Sequence, residues 1–144
     1  MKEEQSYSAS IQQTGTAPSL WNPDALANWS LLLTPIFGSY LVAENYKAMG
    51  KSKEAKGAMD WLYIGIAIIL SGFIFSSFGA YGIYVIMLVY LAYLLSWFFM
   101  SARKQKRIVL SEYGKNYERQ PWGKVLAIGI AVMVVWQIIV SAFS

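Results

Sequence analysis

The sequence predicts an all-α integral membrane protein: a single domain of four apolar helical segments in an antiparallel bundle, the first segment kinked or re-entrant. Three observations predict it. Of the 144 residues, 56% are hydrophobic and only 14% charged, whereas a soluble domain carries about a quarter charged residues. Residues 61–102 form a run of 42 without Asp, Glu, Lys or Arg, and residues 125–144 a second run of 20. A membrane-crossing helix needs about 20 mostly apolar residues. The composition excludes a soluble fold. With no cysteine there is no disulfide framework, and with no histidine the commonest general base and metal ligand is missing.

Residues 1–20 are polar, carry Lys2, Glu3 and Glu4 and lack the apolar core of a signal peptide, so a disordered tail is expected there. Pro23 and Asp24 suit the first turn of a helix. The first apolar segment, 25–43, has 19 uncharged residues with Thr34-Pro35 at its middle and Gly38 one turn on. A mid-helix proline removes a backbone hydrogen bond and kinks the helix. Two geometries follow: a kinked full span, or a hairpin that enters and leaves on one face. Nineteen residues at 1.5 Å each give about 28 Å, enough to cross, and the span is the reading we take. Gly50 suits a helix C-terminus, and Ser52 a new N-cap.

The 42-residue run as one helix would be about 63 Å long, twice the hydrocarbon thickness. It must fold back. Two serines and two glycines between 76 and 82 supply the turn and divide the run into segments 58–77 and 82–102. The third helix then continues through the basic run to Gly114. Tyr113, Tyr117 and Trp122 lie among charges, as interfacial anchors do, and Pro121 opens the last segment, 122–143.

The charge balance, 12 basic to 8 acidic residues, is explained by topology. Loop 44–60 holds four basic residues and 103–124 holds seven, while the 76–82 turn has none. Basic loops face the cytoplasm, so 44–60 and 103–124 are expected there. Arg103, Lys104, Lys106 and Arg107 would attract anionic lipid, at about 1 kcal/mol per basic residue near a charged surface. No fold supports reading them as a nucleic-acid patch.

Asn22-Pro23, Asn28-Trp29-Ser30, Thr34-Pro35, Phe37-Gly38, Asn45 and Gly50 form a pattern that resembles small bacterial inner-membrane proteins. In these, an Asn-Trp-Ser…Thr-Pro-x-Phe-Gly segment precedes further membrane helices. Tyr113-Gly114, Tyr117 and Trp122-Gly123-Lys124 are similar to a second element of the same proteins. The sequence departs from the pattern at Tyr46-Lys47 and Val125. The resemblance implies a bacterial inner membrane and this architecture, and no activity. Relatives with a soluble module before the first segment imply a cytoplasmic N-terminus, against the span.

The polar residues of the first segment and its surroundings are the candidate ligand or partner contacts: Asn28, Thr34, Pro35, Ser39, Glu44, Asn45 and Asp60. A broken helix is how many transporters build a site. The duller alternative is that these groups repair the break or bond neighbouring helices. Glu44 and Asp60 have Lys47 and Lys56 beside them, as interfacial ion pairs would. Ala127 and Ala131, Ala67 and Ser71, and the polar pair Gln137 and Ser141 are expected to be interhelical contacts. No catalytic, cofactor or metal motif appears. The expected function is therefore non-enzymatic, through contacts with lipid, a membrane-protein partner or further copies of the chain, as in an accessory, assembly or immunity role. The alternative is a small oligomeric channel or transporter with the Thr34-Pro35 break near the pathway.

Overall fold

A computed structural model describes residues 17–142, and the greater part of the expected N-terminal tail lies outside them. The chain runs β1 (Ser19–Leu20), α1 (Pro23–Leu32), α2 (Pro35–Ala48), α3 (Ser52–Ser76), α4 (Gly79–Trp97), a π-helical turn (Phe98–Ala102), α5 (Arg103–Glu112), β2 (Glu118–Arg119) and α6 (Trp122–Ala142). Three helices are long and apolar enough to cross a membrane: α3, the continuous helix Gly79–Glu112, and α6. The molecule is a multi-pass membrane protein. Its lipid-facing residues include Leu70, Ile74, Leu88 and Ile138, all more than half exposed.

The first apolar segment does not span. Had 21–45 been one helix, its ends would lie about 36 Å apart. Instead the Asn45 side chain accepts from the Trp21 N–H at 2.7 Å and donates to the Trp21 carbonyl at 2.9 Å. The chain reverses at Leu33-Thr34, where Thr34 takes an extended conformation (φ −176°, ψ 156°). The two arms touch at Ser30 and Gly38, four residues on either side of Thr34. A Cβ on Gly38 would lie 2.2 Å from Ser30 Oγ and 2.4 Å from the Trp97 ring. The hairpin, not the straight helix, is what these small residues permit, and the span expected from length alone is corrected.

The other elements fit the charge pattern more closely. Gly50, at φ +72°, ends α2, with the Gly50 N–H on the Lys47 carbonyl and the Lys51 N–H on that of Tyr46. This is the Schellman arrangement, which glycine adopts without penalty. Helix α3 starts one residue earlier than expected: Lys51, not Ser52, is the N-cap. Helices α3 and α4 form an antiparallel pair. Gly82 meets the Phe75 carbonyl, Gly72 faces Ile86, and Gly65 faces Tyr93. Tyr93 donates to the Trp61 carbonyl at 2.8 Å. The turn between them is tighter than 76–82, because Gly79, at φ +66°, already opens α4.

The last four residues of the expected tail are ordered. Ser19 and Leu20 pair in parallel with Glu118 and Arg119, and Leu20 is fully buried. One apolar side chain placed next to Trp21 anchors what composition alone assigns to a solvated tail. The buried cluster gathers Leu26, Leu41, Val42, Tyr46, Ala55, Ala58, Trp97 and Ala102. It lies at the basic end of the bundle, where the hairpin nests between the start of α3 and the end of α4.

Opposite outcomes are expected for two glycines. Gly38→Ala forces a Cβ into Ser30 and Trp97 and should lower stability by about 1–3 kcal/mol, as overpacking does. Gly57→Ala, with nothing within 4 Å, should be neutral or stabilising by up to about 1 kcal/mol. Thermal unfolding in detergent reads both. Equal stability of the two variants would contradict the close approach of the arms.

Candidate functional site

Six of the seven expected contact residues lie on the two arms of the hairpin, and four of them, Thr34, Pro35, Ser39 and Asn45, form its turn and its internal hydrogen bonds. Thr34 is the N-cap of α2, its hydroxyl accepting from the Phe37 N–H at 3.2 Å. Pro35 takes the first helical position, where its missing N–H removes no helical hydrogen bond. The proline therefore starts a helix and does not kink one. Ser39, fully buried, donates to the Pro35 carbonyl at 2.8 Å, and Ser30 donates to the Leu26 carbonyl at 2.6 Å. Asn45, also buried, closes the base of the hairpin on Trp21.

The other three take no part in closing the hairpin. Asn28 is exposed on α1. Glu44 is on the surface and pairs with Lys47 at 2.7 Å, as expected. This hydrogen bond holds the exposed Lys47 ammonium above its usual range. Asp60 is exposed and makes no ion pair among the described residues, so the expected pairing with Lys56 is absent. Its side chain lies at the surface end of α3, where water competes with any partner.

The bend reaches only part of the way along the bundle. A Cβ on Gly129 would lie 2.9 Å from Leu33 and 3.2 Å from Phe37, and Gly129 is seven residues, about 10 Å, along α6 from Trp122. At the bend Leu31 and Leu32 are 45% and 71% exposed. The tip is apolar and the base polar. At the base, the Trp21 and Trp122 rings are 5.1 Å apart, Lys106 pairs with Asp24 at 2.5 Å, and Lys51 pairs with Glu112 at 2.7 Å. The Glu112 carboxylate holds Lys51 above the usual ammonium range. Burial, then the charges of Glu54 and Glu112, pushes the Tyr46 phenol up to about 12.

Three hollows surround this base. The largest, about 860 Å³, opens between α2 and the start of α6. Glu44, Lys47, Gln120 and Lys124 stand at its polar part, with Tyr40, Leu41, Val125 and Ile128 forming apolar walls. A second, about 290 Å³, lies between Tyr46, Lys53, Glu54, Trp61, Ser101 and Lys104. A third, about 530 Å³, is bounded by Phe99, Arg103, Lys106, Arg107 and Leu110, with Arg103 stacked 5.2 Å over the Phe99 ring.

Sequence reasoning missed Gln105. It stands inside the basic run, yet it is fully buried, and neither side-chain atom of its amide has a partner among the described residues. Helical spacing held the signal: Ser101, Gln105 and Val109 recur at i, i+4 and all three are buried, leaving Arg103 and Arg107 on the other side.

The hydrogen bonds rank the seven residues. Asn45→Ala leaves the Trp21 N–H and carbonyl unpaired and should cost about 1–3 kcal/mol for each group. Pro35→Ala should change stability little, and Glu44→Gln or Asp60→Asn by no more than about 1 kcal/mol. Chemical or thermal unfolding of the purified variants measures the order. A Pro35→Ala variant more stable than the parent, as for a straightened span, would contradict it.

No protein-family model, curated protein or solved structure matches the chain.

Proposed function

We propose that this is a non-enzymatic protein of a bacterial inner membrane that works through contacts made by its membrane helices, in an accessory, assembly or immunity role. One observation carries the reading. The polar side chains at the helix break, Ser30, Thr34, Ser39 and Asn45, all bond within the hairpin. The break is thus closed upon itself and offers no set of free groups to hold and turn over a substrate. What the chain leaves open is apolar helix surface, above all on α6, where Gly129 alone is buried.

The hairpin acts in this reading as a re-entrant wedge, its leucine tip in lipid and its base at the headgroup level. The basic residues of 44–60 and 103–124 support placing those segments in the cytoplasm. The hollow between Phe99, Arg103, Lys106, Arg107 and Leu110 suits an anionic lipid headgroup, its two guanidinium groups and one ammonium standing between two apolar side chains. A second reading, a small oligomeric channel or transporter, draws on the 860 Å³ hollow beside the broken segment. There the pathway would run along α2 and α6, not through the break.

A photoreactive residue placed in turn at Leu70, Leu88 and Val134 tests the contact reading in native membranes. Discrete protein adducts are expected from at least one of the three helices. Adducts with lipid alone at all three positions would overturn it.

A further inference from the structure

The last helix carries an amide in the wrong solvent. Gln137 is fifteen residues along α6 from Trp122, about 22 Å, which is within a hydrocarbon layer of about 30 Å. Its side chain is exposed and makes no hydrogen bond among the described residues. Lipid tails offer an amide no partner, so a polar group at this depth needs one from a neighbouring helix. The sequence expects Gln137 and Ser141 to be interhelical contacts. Within one chain both face outward.

At alternating steps of four and three from Gln137 stand Gly123, Ala127, Ile130, Val134 and Ser141, exposed like most of α6, and three of these five are small. That spacing is the seam of a left-handed helix pair, with small residues where two backbones approach. Its own bundle lies elsewhere. Trp122 stacks on Trp21, Gly129 sits under Leu33 and Phe37, and Trp136 packs edge-on to Phe73 with ring centroids 5.7 Å apart. These three recur every seven residues on one face, about a third of a turn from the seam at 100° per residue.

We infer that the seam Gly123–Ala127–Ile130–Val134–Gln137–Ser141 joins α6 to the α6 of a second copy of this chain, in parallel, with Gln137 bonded to Gln137 across a two-fold axis along the membrane normal. Self-complementarity favours the second copy over another occupant. A glutamine amide both donates and accepts, so two identical amides satisfy each other. Copies inserted with one topology hold every seam residue at the same depth, and an isologous contact pairs like with like. The inference rests on the contact reading above and names its partner.

The chain contains no cysteine, so single cysteines report the interface directly. In the purified full chain reconstituted in phospholipid vesicles, Ile130→Cys and Val134→Cys should form disulfide dimers under mild oxidation. Val132→Cys and Val135→Cys, at least as exposed but off the seam, should not. Förster transfer between labelled copies should show association about five- to thirty-fold weaker in Gln137→Leu and retained in Gln137→Asn. Equal cross-linking at all four positions, or unchanged association in Gln137→Leu, overturns the proposal. A photoadduct at Val134 with a different protein, and no dimer in vesicles, overturns the second copy while leaving the contact reading standing. Lipid adducts alone at Leu70, Leu88 and Val134 overturn the contact reading, whatever the vesicles show.

Discussion

The fold depends on one side chain closing a loop of backbone. Asn45 gives Trp21 both a donor and an acceptor, and so ties together the two ends of a segment that length alone would let cross the bilayer. Once those ends meet, the remaining geometry of the segment is constrained. The arms must approach within backbone distance, which Gly38 against Ser30 allows. The turn must leave no polar side chain loose, which Thr34, Ser30 and Ser39 achieve by bonding their own arms. Nonpolar surroundings make every unpaired backbone group expensive, so the reversal persists only because its side chains are satisfied.

From that closure follows the asymmetry of the whole molecule. The hairpin occupies the bundle only at its basic end, where Leu26, Leu41 and Val42 pack with Ala58, Trp97 and Ala102. The π-helical turn Phe98–Ala102 lies at this level and carries the third membrane helix on into α5. There Lys106 meets Asp24 and Lys51 meets Glu112. At the other end α3, α4 and α6 have little but each other and lipid. A protein built this way has a packed, charged base and a lipid-exposed far half, which is where the free amide of Gln137 stands.

Much of this was legible in the sequence, for physical reasons. Charged residues do not enter hydrocarbon, so the uncharged runs delimit α6 to within three residues and locate the α3–α4 pair, although α3 itself starts nine residues ahead of the run, at Ser52. The extension of the third helix through the basic run is also legible, because nothing between Ala102 and Gly114 breaks a helix. The hairpin was not, since 19 apolar residues with a central proline fit a span as well as a reversal. The deciding signal was the symmetry of small residues about Thr34, with Ser30 and Gly38 four residues to either side. The ordering of Leu20 rests on a partner strand almost a hundred residues away, which no local pattern reveals. Asn45 looked like a possible ligand contact and proves to be the clasp. Residue type alone does not distinguish a polar group held by its own backbone from one awaiting a partner.

The central claim is that the first apolar segment returns to the side from which it starts. Impermeant thiol labelling of intact cells tests it most directly in a chain without cysteine. The single variants Ala17→Cys, Ser52→Cys and Ser77→Cys mark the start of the segment, its end, and the opposite end of α3. The hairpin predicts that Ala17→Cys and Ser52→Cys are labelled only after lysis, and Ser77→Cys in intact cells. Labelling of Ala17→Cys together with Ser77→Cys in intact cells would mean that the segment crosses the membrane, and would contradict the account.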